Sequence, residues 1–417
     1  MAVAVGVGLQ VLRLPSGIAT NTVWADDGSG FLAQALKHGR LDSFVVPYAG
    51  YLVSSARVMA AVAASLPLRL AALVLGVGPT LVVCVLAALV YRLMRGHIPS
   101  RTVRLTFAAV TVLIPAVGME VEANAANLHW YLDFASVWVL LARPPRWGER
   151  IAGAAVCLVA ALSDPLVVLL VPLAAIRLVA TRNWRDSIPI VALVAGLGVQ
   201  LPFILTAPSP HIAHHPSVPD LSSVFAGHVL LPALVGGTLG QRLWVAFDWA
   251  AVIAAGVVVG GITVALLRER RLRVETVLAV GFFLLALAFT AAEVWARWDP
   301  VFVPISGNSI ETGARYWAVP SLLLWSAAAV IAGSPRLGDV VVTPGFRSLR
   351  QGILLWLALL IAADFIALNP ARDNGPLWSD QLTLATRACK AGAGHATLTT
   401  PPDRAWFLDV PCSLLPR

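Results

Sequence analysis

The sequence predicts an all-α polytopic membrane protein with about 10–11 transmembrane helices, since its long apolar runs approach the ~20 residues that a bilayer-spanning helix needs. The chain is 58% hydrophobic and only 12% charged, and its mean hydropathy is +0.80. Soluble domains carry roughly 25% charged residues. The net charge of +8 is spread over short arginine clusters between apolar runs, which is typical of topology signals rather than of a nucleic-acid surface.

The first apolar segment, residues 1–15, is only about half as long as a spanning helix. It lacks the basic region and small-residue cleavage site of a signal peptide, so we expect it to be kept. It is either a shortened first span or the remainder of a reading frame that starts upstream. Further spans are predicted at about 70–91, 105–118, 125–142, 151–163, 165–180, 188–206, 247–267, 275–292, 317–332 and 352–369.

Basic clusters predict which loops share a side of the membrane. The arginines fall near residues 92–104, 143–150, 177–185, 268–273 and 336–350, and the positive-inside rule places these five loops in the cytoplasm. The opposite, outward side then holds the first loop at 24–67, the Glu120/Glu122 turn, Asp164, the loops at 207–243 and 293–316, and the tail from residue 370. We therefore divide the chain into a transmembrane domain, 1–369, and an extracytoplasmic tail domain, 370–417.

The tail has the sequence of a small α/β or β-rich appendage. HATLTTPP and AWFLDVPC contain short β-branched or apolar runs bounded by Gly or Pro. Cys389 and Cys412 flank this region, and the oxidising exterior favours a disulfide between them. Two unpaired thiols are the alternative. Cys84 and Cys157 lie in apolar spans, where a cysteine is usually a small core residue.

The first outward loop opens with two adjacent acids in WADDGSGFLAQALKHG. Asp26 or Asp27 has the chemistry of a general base, because a carboxylate at the membrane surface can accept the proton of an acceptor hydroxyl. The alternative is capping of the helix predicted over 30–38. Further along, Tyr51 and Arg57 lie in PYAGYLVSSARVM, which predicts an amphipathic helix at the interface with Arg57 off its apolar stripe. We expect both side chains to bind substrate.

A second polar group lies in EVEANAANLHWYLDF, at the outer end of an apolar span. On a helix, His129 and Asp133 share one face, so we expect the buried carboxylate of Asp133 to pair with His129 or to face a watery cavity. Hydrogen bonding between helices by the Asn side chains is the alternative. The residues predicted to line a substrate cavity are Glu120, Glu122, Asn124, Asn127 and His129.

Two outward loops hold the remaining candidates. His211, His214 and His215 invite a metal site, but no ligand spacing is recognisable and a surface loop is favoured. Arg315 and Tyr316 stand immediately before a late span, where an arginine can make a bidentate pair with a phosphate. Simple anchoring at the interface is the alternative for these residues and for the nearby tryptophans.

Together, the acid pair, the GYL-x5-R stretch, the N-x2-N-L-H-W-Y-L span, the G-x-R-Y sequence and the outward tail resemble the GT-C class of membrane glycosyltransferases, particularly uncharacterised actinobacterial-type members. The resemblance covers nearly the whole chain. It implies an inverting transfer of a sugar from a polyprenyl-phosphate donor to an extracytoplasmic glycan or lipid-linked acceptor of the cell envelope. Asp26 or Asp27 matches the base, Asp27 less well because it is the more typical cap, and Arg315 matches the donor-phosphate contact.

The resemblance also implies a multi-pass protein of a bacterial plasma membrane whose active face and C-terminus are extracytoplasmic. No nucleotide motif appears in the sequence, which argues against a nucleotide-sugar donor. Some members of the class need a divalent metal. No carboxylate set separate from the acid pair is visible here, so we predict a metal-independent enzyme with no cofactor.

Two other functions stay open. A transporter or flippase of lipid-linked sugars would use a polar path through Asp133, Asp364 and the Asn-rich span, although no convincing repeat of two halves is visible. A polymerase or ligase of lipid-linked glycans, as in O-antigen assembly, would need paired arginines and a histidine in one large outward loop. The 207–243 loop offers only Arg242 beside its histidines.

Overall fold

The structure, a computed structural model, describes residues 1–14, 17–115, 117, 120–143, 146–180, 183–207, 215–268, 273–298, 302, 313–334, 349–366, 372, 375–402 and 405–415. Within these ranges the chain is almost entirely helical. The α-helices are α1 (Ala2–Arg13), α2 (Ile18–Asn21), α3 (Ala33–His38), α4 (Ser54–Ala64), α5 (Ala71–Leu93), α6 (Arg101–Val112), α7 (Leu128–Leu141), α8 (Trp147–Ala161), α9 (Val171–Ala180), α10 (Ile188–Thr206), α11 (Val218–Val224), α12 (Leu231–Val235), α13 (Gly237–Phe247), α14 (Trp249–Arg268), α15 (Arg273–Ala296), α16 (Ala318–Gly333), α17 (Leu349–Ala363) and α18 (Trp378–Lys390).

The fold is that of a helical membrane protein. Five helical segments in the described ranges are long and apolar enough to cross a bilayer, and a sixth is gained if α13 and the first part of α14, bent by 120°, form one broken span. The five are Leu68–Gly96, Trp184–Thr206, Val218–Val235, Val274–Ala296 and Ala314–Gly333. Shorter apolar helices are Ala2–Arg13, Ser54–Ala64, Leu128–Leu141, Pro165–Ala180 and Leu349–Ala363.

Helix α7 forms the centre of the bundle. Every residue from Leu128 to Leu140 is buried, including the polar His129 and Asp133, because other helices surround this mainly apolar helix. It packs against α5, α8 and α16. The most apolar stretch of α16 is 83% buried, whereas that of α10 is only 28% buried, so α10 lies at the periphery. Buried thiols at Cys84 and Cys157 match the predicted core role.

The predicted outward loop at 207–243 differs from expectation, because most of its described part is helical. Residues 218–235 form one continuous helical run through α11, a π-helical turn at Phe225–Leu230, and α12. Its apolar sequence LSSVFAGHVLLPALV explains why it buries itself in the bundle. His211 and His214 lie outside the described residues, and the ring of His215 stacks on Trp295 at 4.6 Å.

A smaller body of structure is formed by the first loop and the tail. The first loop carries a π-helical turn, Asp27–Leu32, which continues into α3, so this helix begins before the predicted residue 30. The tail consists of α18 and two antiparallel strands, β1 (His395–Thr399) and β2 (Phe407–Pro411), in which Leu398 pairs with Leu408. Cys389 and Cys412 form a disulfide with their Cα atoms 5.6 Å apart.

One hydrophobic cluster joins these two parts. It contains Phe31, Leu32 and Ala56 of the first loop together with Leu398 and Leu408 of the tail. The indole of Trp378 also donates to the carbonyl of Leu68, at the start of the α5 span, over 2.9 Å. The tail is therefore docked on the first loop and on one end of the bundle.

Candidate functional site

A cavity of about 500 Å³ lies where the first loop, the start of α7, the segment before α16 and the tail hairpin meet. Five parts of the chain supply its walls, since Arg297 at the end of α15 also lines it. The lining residues are Trp24, Ala25, Asp26, Phe31, Tyr48, Ala49, Tyr51, Val53, Glu120, Ala126, Asn127, His129, Trp130, Arg297, Arg315, Tyr316, Pro402 and Trp406.

Asp26 supplies a carboxylate on the cavity wall. The hydroxyl of Tyr48 donates a short hydrogen bond to its Oδ1. Burial raises the pKa of Tyr48, so this hydroxyl keeps its proton and remains a donor. Gly30 permits this contact, because a Cβ there would lie 3.0 Å from the Tyr48 ring. The carboxylate is thus held in place while still facing the cavity.

Asp27 occupies a different environment from its neighbour. Its side chain is buried, and its two oxygens accept hydrogen bonds from the backbone N–H groups of Ala125 at 2.9 Å and Ala126 at 2.7 Å. Burial raises the pKa of Asp27 to about 7 against the lowering effect of these two bonds. Successive residues of a helical turn project in different directions, which explains why one acid reaches the cavity and the other does not. Asp27 therefore fixes the segment before α7 and does not line the cavity.

Arg315 is the first cation of the cavity. Its Nη1 donates to Glu120 Oε1 at 2.8 Å, and its backbone N–H donates to Glu120 Oε2 at 3.1 Å. Its Nη2 donates to the Tyr316 hydroxyl at 3.1 Å. Glu120 thus accepts hydrogen bonds from both the side chain and the backbone of Arg315, which fixes the direction of the guanidinium. All three predicted residues line the same cavity.

Arg297 is a second cation that sequence reasoning missed. Its Nη2 donates to the hydroxyl of Tyr51 over 2.7 Å, and its guanidinium lies 5.6 Å from the centre of the same ring. It follows α15 in the sequence WARWDP, where the flanking tryptophans suggested only interfacial anchoring. The usable signal was an arginine at the outer end of a long apolar span: Arg297 directly follows one span, and Arg315 directly precedes the next.

Asn127 and His129 also line the cavity. The Asn127 amide donates to the carbonyl of Glu120 at 2.6 Å, so it supports the segment that carries the Arg315 partner. His129 Nδ1 lies 2.7 Å from the carbonyl oxygen of Ala126, and its Nε2 lies 3.6 Å from Asp164 Oδ2. The ionic neighbour of His129 is therefore Asp164 rather than the predicted Asp133.

Three predicted substrate-binding residues lie elsewhere. Asn124 is buried, and its Oδ1 accepts from the backbone N–H of Asn127 at 3.2 Å, so it shapes the turn before α7. Glu122 is buried in an ion pair with Arg13 of α1, and burial raises the pKa of Glu122 to about 7.

Arg57 is the third of these residues, and it is fully buried. It donates to Gln34 Oε1 at 2.7 Å and to the carbonyl of Val46, and it lies 5.3 Å from the centre of the Phe31 ring. Burial lowers the pKa of Arg57 to about 10. The sequence predicted that Arg57 would leave the apolar stripe, but the structure buries it together with Ala56 and Ala60. There its hydrogen bonds hold the first loop together.

The tail hairpin closes one side of the cavity, which the sequence did not predict. Pro402 and Trp406 line the cavity from the segment between β1 and β2. The backbone N–H of Ala25 donates to the carbonyl of Pro401 at 2.9 Å, directly beside Asp26. A half-buried indole at this position offers a flat apolar surface of the kind that binds ring-shaped ligands.

Chemically, the cavity combines a carboxylate that can accept a proton with two guanidiniums that can bind a phosphate. In the described part of the chain, no group of three or more His, Cys, Asp or Glu side chains is arranged to hold a metal ion. Searches with the chain find no matching protein family, no similar curated protein and no similar solved structure.

Proposed function

We propose that the protein is an integral membrane glycosyltransferase of the GT-C type that moves a sugar from a polyprenyl-phosphate donor to an extracytoplasmic acceptor. The observation that carries this proposal is that Asp26, Arg297 and Arg315 line one cavity of about 500 Å³. That volume lies within the usual range of small-molecule sites, roughly 300–1,000 Å³. A base facing two phosphate-binding cations is what an inverting transfer from a sugar phosphate requires.

The proposed step is a single displacement. The acceptor hydroxyl gives its proton to the Asp26 carboxylate while its oxygen forms a bond to the anomeric carbon of the sugar. The bond from that carbon to the phosphate oxygen breaks, and the oxygen leaves with the electron pair. The products are the glycosylated acceptor, with inverted configuration, and the polyprenyl phosphate, with the proton held on Asp26.

The cations have separate tasks in this step. Arg315, gripped by Glu120, and Arg297, held by Tyr51, stabilise the negative charge that develops on the departing phosphate. Fixed guanidiniums do this without reorganising during the reaction. The enzyme is proposed to need no metal for the step, and full activity in excess EDTA is the expected result.

The proposed orientation puts the cavity outside the cell. The basic clusters around Arg92 and Arg143 lie at the ends of α5 and α7 that are remote from the cavity, which supports cytoplasmic placement of those ends. In this arrangement the shorter apolar helices, apart from Ser54–Ala64 of the outward first loop, add further spans to the five or six long ones. Some of them are tilted or paired end to end. The membrane is proposed to be a bacterial plasma membrane.

A sugar-transfer assay with the purified protein reconstituted in lipid vesicles tests the proposal. It measures transfer from a panel of radiolabelled polyprenyl-phosphate monosaccharides to a cell-envelope acceptor. Asp26→Asn is expected to reduce transfer by about 100-fold or more, within the range of general-base effects. Arg315→Gln is expected to cause a loss of similar size. Asp42→Asn and Arg69→Gln remove the same charges from exposed sites in and beside the first loop and serve as matched controls. Unchanged transfer by Asp26→Asn would refute the assigned base.

A transporter of lipid-linked sugars is the second candidate, and one observation favours it. Below His129, the buried acids Asp164 and Asp133 extend the polar lining into the bundle. Asp364, which was predicted to belong to the same path as Asp133, is engaged elsewhere, since it accepts from the N–H of Gly237 at 2.7 Å. Loss of donor exposure at the outer leaflet in Asp133→Asn, with no sugar transfer by the wild type, would favour the transporter.

A polymerase or ligase of lipid-linked glycans gains support from the same cavity, because Arg297, Arg315 and His129 all line it. Such an enzyme would take a pyrophosphate-linked oligosaccharide as donor. Comparing monosaccharide phosphates with pyrophosphate-linked oligosaccharides in one assay separates the two enzymes, since only the donor that fits is consumed.

A further inference from the structure

A second cavity, of about 570 Å³, lies at the other end of the bundle from the proposed active site. Helix α7 connects the two, because His129 near its start lines the first cavity and Leu141 at its end lines the second. A helix of 14 residues is about 21 Å long. The second cavity is thus a separate site. Its lining residues are Arg92, Leu93, Arg95, Gly96, His97, Leu141, Ala142, Arg143 and Glu149.

The second cavity is strongly basic. Arg92, Arg95 and Arg143 contribute three positive charges against the single carboxylate of Glu149. That carboxylate is already engaged by Arg95 Nη2 at 2.7 Å. Among the residues that the structure describes, the guanidiniums of Arg92 and Arg143 have no acidic partner. Two unpaired guanidiniums on the wall of a cavity form a site for an anion that accepts several hydrogen bonds.

Neighbouring side chains mark this end of the bundle as a membrane interface. Trp147 is 45% exposed and Trp184 is 68% exposed, with their ring centres 6.2 Å apart. Arg185 lies over the Trp147 ring at 5.3 Å. Exposed tryptophans beside arginines are typical of the level of the lipid headgroups. Trp147 begins α8, whose first turn carries Glu149, so the cavity opens at that level.

We propose that this cavity binds the phosphate group of an anionic phospholipid of the phosphatidylglycerol kind. Arg92 and Arg143 donate to the phosphate oxygens, and Arg95 adds charge while it holds Glu149. Lipid phosphate is the concentrated anion at this depth, and exposed apolar residues such as Ile151 on α8 provide a surface for its acyl chains. The proposal is independent of glycosyl transfer.

The test measures binding of dioctanoyl phosphatidylglycerol to the purified full chain in neutral detergent by calorimetry, with dioctanoyl phosphatidylcholine and sodium phosphate in parallel. We expect the phosphatidylglycerol dissociation constant to rise about tenfold in Arg92→Gln/Arg143→Gln. The double variant Arg69→Gln/Arg101→Gln removes the same charge from exposed sites outside the cavity and is expected to bind like the wild type.

A second variant tests the cavity without changing its charge. A Cβ at Gly96 would meet no atom within 4 Å, so Gly96→Leu fills open space on the cavity wall and is expected to weaken binding as well. An equal loss of lipid affinity in the Arg69→Gln/Arg101→Gln control would overturn the proposal, because it would show general electrostatic attraction between the lipid and the basic protein. Sodium phosphate binding as tightly as the lipid would overturn the lipid source and leave a site for a soluble anion. Unchanged lipid binding in correctly folded Arg92→Gln/Arg143→Gln would refute the site.

Discussion

Asp27→Asn is the substitution that best separates the two adjacent acids of the first loop. We expect it to destabilise the protein while leaving transfer by each folded molecule nearly unchanged. The reason is that Asp27 holds the segment before α7 through the N–H groups of Ala125 and Ala126 and lies outside the cavity. Asp26→Asn is expected to show the reverse pattern.

The magnitude follows from those two hydrogen bonds. An asparagine has about the same shape, but only one of its terminal atoms accepts. The substitution removes one of the two hydrogen bonds to the carboxylate, worth ~1.5–3 kcal/mol. It also points the new NH2 group at the backbone N–H that has lost its acceptor, and two facing buried donors cost ~1–3 kcal/mol. Relief of a buried charge offsets part of this sum. We expect a net loss of about 2–4 kcal/mol in the free energy of unfolding.

Unfolding in mixed micelles, followed by circular dichroism, gives the stability, and transfer normalised to folded protein gives the activity. Asp42→Asn, an exposed acid in the same loop, is the matched control and should change neither quantity. The reasoning would be refuted if Asp27→Asn abolished transfer at an unchanged unfolding midpoint, because Asp27 would then be the base.

Three further predictions follow from the same region. Burial raises the pKa of Asp27 to about 7 in the folded protein, above the usual value of ~3.9. Protonated Asp27 therefore stabilises the fold fully below about pH 4, and this stabilisation is lost as the pH rises through about 7. Between about pH 4 and pH 8, the unfolding midpoint of Asp27→Asn should decline less than that of the wild type. Arg57→Lys should cost ~1–3 kcal/mol of stability, because Nη2 donates both hydrogen bonds, to Gln34 and to the carbonyl of Val46, and a lysine side chain ends one bond short of that position. The donor KM should stay constant; a raised KM at unchanged stability would contradict the structural role. Cys389→Ser opens a disulfide that spans 23 residues and should destabilise the tail by about 3 kcal/mol; limited proteolysis and the acceptor KM measure the effect, and an unchanged cleavage pattern would argue against it.

Local patterns predicted part of this cavity. Polar residues that interrupt an apolar sequence must face protein or a cavity, and that argument singled out Asn127 and His129, with Glu120 at the outer end of the same span. Arg315 was singled out by its position just before a late span, where an arginine can bind a phosphate. The choice between Asp26 and its neighbour depends on the path of the backbone through a π-helical turn, which no periodicity reveals. The same limit applies to Asn124, whose side chain turns inward to hydrogen-bond its own turn.

Long-range contacts account for the other differences. Helical spacing suggested that His129 pairs with Asp133 one turn away, but its neighbour in space is Asp164, from the next helical hairpin. Arg297 looked like an anchor because tryptophans flank it. Trp406 reaches the cavity only because the tail packs against the first loop. The local sequence of neither segment predicts that contact.

The contact between Ala25 and Pro401 also has a consequence for biosynthesis. The backbone beside the proposed base reaches its final hydrogen bonding only after the tail hairpin has been translated and, in the proposed topology, moved across the bilayer. A ribosome-bound chain that has already inserted most of its helices would therefore still have an open, incomplete cavity. If the cavity is the proposed active site, such an order would keep the nascent protein inactive until the tail hairpin has joined the first loop.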